Sequence, residues 1–267
     1  MPIKTIKDIQ YSSPNGIPLH LDIHLPAGAN EPLPVIVAIP GGGWCSCSKE
    51  IEGFEPGLVE AGFAMVCINY RISSIAIAPA NIHDCKAAVR WIRSNAANHG
   101  LNPDRIGVYG GSAGGHLAAM LGCSHGVKEL EGNGEEHPPS HSSAVQAVCA
   151  VCAPTDLTRI AIPEIREHFP DLYEVTERYL GGAVLQRLEL ARLVSPLTYA
   201  SPGCPPMLLI HGNADTIVPV EESMILHEAL GKAGAKTSLR IIEAGPHGWL
   251  WQQTSDDVIS FFTKNLR

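Results

Sequence analysis

The sequence predicts an α/β fold: a mostly parallel, eight-stranded sheet with helices on both faces. Three observations lead there. Short, unbroken apolar runs alternate with helical stretches along most of the chain, as strands covered on both faces require. Two of these runs end in glycine-rich turns, Pro40-Gly41-Gly42-Gly43-Trp44 and Gly110-Gly111-Ser112-Ala113-Gly114-Gly115. The length of 267 residues, 45% of them hydrophobic and 17% charged, suits one large domain with a sizeable core. The expected unit is a single domain over 1–267, with residues 157–200 forming a small helical excursion over the strand ends.

The elements follow in order. Residues 3–26 read as a hairpin, because Ile17, Leu19, Leu21, Ile23 and Leu25 alternate with polar residues after the turn chemistry of Ser13-Pro14-Asn15-Gly16. These two strands are an antiparallel addition to the sheet. Val35 to Ile39 is apolar throughout and reads as a buried strand. A helix is expected over 50–61, ending near Gly62, and a strand over Ala64 to Tyr70. Ala80 to His99 reads as a long helix stopped by Gly100, with Trp91 in its core face and Asp84 placed early for the helix dipole. Arg105 to Tyr109 is the strand before Ser112, and Ala113 to Leu121 the helix after it. Residues 124–143 are polar and irregular, and their His and Glu residues read as a solvated loop. Val145 to Val151 is another buried strand. Glu174 to Leu180 and Leu185 to Leu193 are amphipathic helical stretches. Met207 to Gly212 is the seventh strand, Val220 to Leu230 a helix, Leu239 to Glu243 the last strand, and a final helix starts near Ser255-Asp256.

Bulk properties narrow the function. The net charge is −8 with no basic run, which argues against nucleic acid and anionic membranes as partners. No apolar run approaches the roughly 20 residues of a membrane span, and Met1 to Asp8 has no signal-peptide core. Eight cysteines, several inside apolar elements, suit reduced thiols and a cytoplasmic setting, with a secreted form whose signal has been removed as the alternative. Cys149-x-x-Cys152 has the spacing of a redox or zinc pair, but it falls in a strand and has no second pair, so no metal is expected.

The chemistry centres on Gly110-x-Ser112-x-Gly114. A serine between a strand end and a helix start sits on a sharp turn, with the helix N-terminus aimed at any anion formed there. A nucleophile at that turn needs a base, an acid to orient the base, and donors for an oxyanion. In an open α/β sheet these belong in loops at the carboxyl ends of strands. Asp215, after the seventh strand, and His247, after the last, meet that requirement in the order Ser, Asp, His. The three glycines before Trp44 follow a buried strand and can present backbone N–H groups as an oxyanion hole. Asp156 is the rival acid, and His116 and His211 have structural readings.

The chain resembles α/β-hydrolases of the hormone-sensitive-lipase-like and carbohydrate-esterase branch, and within it small bacterial acetyl-xylan and feruloyl esterases. The resemblance covers nearly the whole chain. Its motifs are Pro40 to Trp44, Asn69-Tyr70-Arg71, Asp104-Arg105-Ile106, Gly110 to Gly115, His211-Gly212-x-x-Asp215-x-x-Val218-Pro219, and His247. It implies a serine carboxylesterase for short acyl or aryl esters, including acetylated or feruloylated carbohydrates, with no cofactor. Ser112 would attack, His247 would act as base and acid, and Asp215 would orient it. Gly42, Gly43 and Ala113 would supply oxyanion N–H groups, and Trp44, Gly111 and Trp249 would line the substrate pocket. One departure stands out: many relatives carry His at the position of Pro40, and proline cannot hold the loop by the same hydrogen bonds. An arylformamidase-like amidase is the alternative enzyme, and a non-catalytic ligand-binding protein the alternative of another class.

Overall fold

The computed structural model describes residues 2–29, 31–46, 48–49, 55–132 and 141–267. Eight strands form one sheet: β1 (Ile3–Ser12), β2 (Leu19–Pro26), β3 (Leu33–Ile39), β4 (Ala64–Ile68), β5 (Leu101–Gly111), β6 (Ala147–Val151), β7 (Met207–Gly212) and β8 (Thr237–Ile242). Their spatial order is β1-β2-β4-β3-β5-β6-β7-β8. The β1–β2 and β2–β4 pairs are antiparallel and all the others parallel. This is the mostly parallel eight-stranded α/β architecture expected, with the N-terminal hairpin as its antiparallel edge.

Both faces of the sheet are buried, which is why the central strands read as continuous apolar runs. Alternate residues still go to opposite sides. Val35, Val37 and Ile39 join one core and Ile36 and Ala38 the other. The first core lies under α2 (Ala80–His99), α3 (Ala113–Cys123) and α7 (Glu221–Ala233). The second lies under α1 (Pro56–Glu60) and α8 (Trp251–Leu266). Between β6 and β7 the chain forms α4 (Pro163–His168), α5 (Pro170–Leu180) and α6 (Leu188–Leu193), with short 3₁₀ turns between them.

Several expectations need adjustment. Of the helix expected over 50–61, residues 50–54 lie outside the described residues, and the helix seen is α1. Likewise 133–140 of the polar loop lie outside them. The last helix begins at Trp251, four residues before the Ser255 expected, so Trp251 is a helical residue packed near Tyr109. Asp84 does not serve the helix dipole, because it lies beyond the first turn of α2. It pairs with Arg71, whose Nη2 is 2.7 Å from Asp84 Oδ1, and both side chains are buried. Gly100 ends α2 in the left-handed conformation, as expected.

The register gathers the loops that matter. Gly111 is level with Val151, Val151 with Ile210, and Gly212 with Ile242. Each strand end is then tied to its neighbour beyond the ladder. Ser112 N–H donates to Val151 O at 2.7 Å, Cys152 N–H to Ile210 O at 2.8 Å, and Asn213 N–H to Ile242 O at 3.0 Å. The loops after β5, β6, β7 and β8 therefore open side by side at the carboxyl edge of the sheet.

Candidate active site

Ser112 sits between β5 and α3 with φ 55° and ψ −123°, a strained conformation for a residue with a side chain. Two glycines make this turn possible. A Cβ on Gly114 would lie 2.1 Å from Ile39 O, and one on Gly110 would lie 2.2 Å from Gly114 O. The turn is pressed that closely against the end of β3, so any side chain at either position collides with backbone. His116 N–H closes the first helical turn on Ser112 O at 3.0 Å.

The Pro40–Trp44 loop follows β3 and faces that turn. Gly42 and Gly43 both have positive φ, 90° and 58°. Among the described residues, no protein acceptor takes the N–H of Gly42, Gly43 or Ala113, the last being the first residue of α3. The loop is held without the histidine that Pro40 displaces. Tyr70 Oη donates to Pro40 O and Gly41 O, each at 3.1 Å. Trp44 supplies the other anchor. Its ring is 1% exposed, stacks on Tyr179 at 4.4 Å and donates Nε1–H to His116 Nδ1 at 3.2 Å. Trp44 therefore meets the cavity as a fixed part of its floor rather than as a mobile platform. The His116 ring is saturated in turn: with Nδ1 accepting, Nε2–H donates to Val194 O at 2.6 Å. Burial pushes its pKa down to about 4, so it stays neutral.

Across the site, His247 Nδ1 lies 2.7 Å from Asp215 Oδ2. A carboxylate can only accept, so Nδ1 carries the proton and Nε2 is left as the acceptor. The Asp215 side chain is 0% exposed and that of His247 20%. Burial alone would raise the Asp215 pKa. Hydrogen bonds from His211, His247 and the Val218 N–H, with the nearby His247 charge, override it and hold the carboxyl well below the ordinary range. Ile217 and Val218 N–H each donate to Oδ1 at 2.8 Å. The Asp215 and His247 loops are themselves clipped together. Ala214 N–H donates to Gly245 O at 3.0 Å, and Asn213 bridges to Glu243 and Ala244. Asp156 is occupied locally, accepting from Thr158 Oγ1 at 2.6 Å, and has no bond to His247 among the described residues.

Ser112, Ala113, Gly42, Gly43, Trp44, Gly111, His247 and Trp249 all line one cavity of about 370 Å³. Ser112 Oγ makes no hydrogen bond to His247 among the described residues. Such contacts are often long in unliganded enzymes and close when substrate binds. Trp249 covers Gly111, whose missing Cβ would lie 3.2 Å from the indole. The far wall is apolar: Pro154, Leu172, Val175, Ile217 and Val218. Asp171, at the start of α5, is the one charged side chain on it.

Sequence reasoning missed three contributors: the α5 excursion, His211 and Cys152. Leu172 and Val175 bring the α5 excursion into the cavity wall. His211, read as structural, reaches Asp215 Oδ2 at 3.2 Å. Cys152 is the third: its thiol donates to Gly248 O at 3.4 Å and, with His211 and Asp215, forms a tight buried cluster. Cys149 and Cys152 are both free and buried, and burial pushes the Cys152 thiol up to about 12. Only the position of His211, four residues before Asp215 at a strand end, was a signal in the sequence.

The BD-FAE family profile matches residues 21–230, more than three-quarters of the chain and a span that includes Ser112 and Asp215. The chain belongs to the BD-FAE family. This BD-FAE chain has the α/β-hydrolase esterase fold. It is 34% identical over 207 residues to esterase LipQ of Mycobacterium tuberculosis, an alignment covering 76% of the chain and 47% of LipQ. The chain thus spans about half the length of the curated relatives it matches. Among solved structures it is similar to a truncated carbohydrate esterase from gut microbiota, with TM-score 0.86 and 30% identity over 98% of this chain and 96% of that one. It is also similar to the butyrate-bound esterase Est2 of Thermogutta terrifontis, with TM-score 0.79 and 30% identity over 96% and 93% of the two chains. Among the described residues, no helix is long and apolar enough to cross a membrane.

Proposed function

We propose that the chain is a serine carboxylesterase that cleaves short acyl or aryl esters through an acyl-enzyme on Ser112. One observation carries this reading: a single cavity presents a strained serine, an imidazole backed by a buried carboxylate, and three backbone N–H groups without protein acceptors.

Substrate enters with its carbonyl carbon beside Ser112 Oγ and its carbonyl oxygen toward the N–H groups of Gly42, Gly43 and Ala113. His247 Nε2 removes the Ser112 proton as Oγ attacks. The oxyanion forms where the donors already point, each worth roughly 2.7–4 kcal/mol in the transition state. Asp215 holds the imidazole in its Nδ1–H tautomer and stabilises the cation. His247 then gives its proton to the leaving alcohol, and water activated by the same nitrogen releases the acid. Positioned general-base catalysis of this kind contributes about 10²–10⁴-fold.

The apolar wall of Leu172, Val175, Ile217 and Val218 supports a short acyl or aryl group. The likeness to a gut carbohydrate esterase supports acetylated or feruloylated carbohydrates as the alcohol-bearing substrates. Initial rates on a p-nitrophenyl ester series, acetylated xylo-oligosaccharides, a feruloyl ester and N-formylkynurenine test this. The expected result is hydrolysis that falls steeply beyond short acyl chains, with activity on the carbohydrate esters. Exclusive activity on N-formylkynurenine would instead identify an amidase, and no turnover of any member a binding protein.

A further inference from the structure

The carboxylate of Asp215 serves two imidazoles, not one. His247 Nδ1 lies 2.7 Å from Oδ2, and His211 Nε2 lies 3.2 Å from the same oxygen. His211 is 0% exposed. Its Nε2 also lies 3.1 Å from Val218 O, and its Nδ1 lies 2.7 Å from Ser223 Oγ on α7. Val218 O and the Asp215 carboxylate are acceptors only, so Nε2 carries the proton: it is hydrogen-bonded to Val218 O, with Asp215 Oδ2 beside it at ion-pair distance. Nδ1 is then an acceptor, and the Ser223 hydroxyl is its donor. Along Ser223–His211–Asp215–His247 the donors on both sides are oriented towards the Asp215 carboxylate, which accepts from both ends.

We propose that His211 is a positioning residue for the proton transfer at His247: by holding its Nε2–H against Asp215 Oδ2 in a tautomer fixed by Ser223, it limits how much carboxylate charge His247 draws and so tunes its basicity. The inference rests on the Ser112–His247–Asp215 reading above. The titratable groups facing His211 are Asp215 on its own loop, Cys152 at the end of β6, and His247 across the carboxylate. Burial keeps the Cys152 thiol protonated, so Asp215 is the charged group through which His211 acts. Removing the His211 donor concentrates negative charge on Oδ2, favours the protonated form of His247, and moves the acid limb of the pH–rate profile upward.

The test is the pH dependence of kcat/KM for one p-nitrophenyl ester, measured on the full chain as wild type, His211→Met, His211→Gln and Ser223→Ala. His211→Met removes the donor at similar volume, and the Gln amide restores one at the Nε2 position. The acid limb should move up by about 0.5–1 pH unit in His211→Met, and by less in the same direction in Ser223→Ala. It should return to the wild-type midpoint in His211→Gln. Should His211→Met fail to fold, Ser223→Ala against His211→Gln decides the matter. Midpoints that stay at the wild-type value while only kcat falls overturn the proposal. A wild-type enzyme that shows no serine-directed inactivation by a fluorophosphonate overturns the underlying triad reading instead.

Discussion

The two halves of the proposed site, one carrying the nucleophile and the other the acid–base pair, are built by different means. The nucleophile half is fixed by backbone crowding: Gly110 and Gly114 leave no space for a Cβ, and the Pro40–Trp44 loop is tied down through its carbonyls and a buried indole. The acid–base half is fixed by contacts converging on one carboxylate: hydrogen bonds from His247 and two backbone N–H groups, and His211 Nε2 at ion-pair distance. Sterics give a rigid half that tolerates few substitutions. Hydrogen bonds give a half whose proton affinity is adjustable by a neighbour that never touches substrate.

Substitutions that break one half should therefore fail differently from those that break the other. Ser112→Ala removes the attacking atom, and kcat/KM should fall by at least about 10⁴-fold with substrate binding retained. Asp215→Asn leaves the shape but frees the wrong imidazole tautomer, and the loss should reach about 10⁴-fold in kcat.

Within the nucleophile half, the buried His116 makes a prediction about stability. Its pKa is about 4 when folded, below the ordinary value near 6.5, so the unfolded chain binds a proton that the folded chain refuses. Stability is then lost as pH falls from about 6.5 to about 4, by roughly 3 kcal/mol for this one group. Urea unfolding of wild type and His116→Gln at pH 7 and pH 4.5 checks it: the difference between the two pH values should be smaller in the variant. The smallest effect is expected for Tyr70→Phe. It removes one hydroxyl shared between two carbonyls of the oxyanion loop, and kcat should fall by about tenfold with KM little changed.

The division also explains what could be read from sequence. The gathering of Ser112, Asp215 and His247 at one edge of the sheet was legible because each sits in a loop after an apolar strand, in a chain order tied to one architecture. The glycines were legible because crowding permits nothing else. The long-range bonds left no local trace. Nothing in the periodicity of Pro170–Leu180 says that Leu172 and Val175 face Ser112 rather than another helix. Trp44 follows three glycines and reads as a pocket-lining residue, and its role as an anchor shows only in its stacking on Tyr179 and its hydrogen bond to His116. Asp84 looked like a dipole residue until Arg71, thirteen positions earlier, was found across from it. His211 was read as structural because it lies at a strand end, and its proximity to Asp215 Oδ2 shows only in three dimensions.

The central claim is that Ser112 accepts the acyl group, and covalent labelling tests it most directly. After treatment with a fluorophosphonate, peptide mapping by mass spectrometry should find one adduct, on Ser112, in proportion to lost esterase activity, and none in Ser112→Ala. Full esterase activity with Ser112 quantitatively modified, or inactivation with the adduct on another residue, would contradict it.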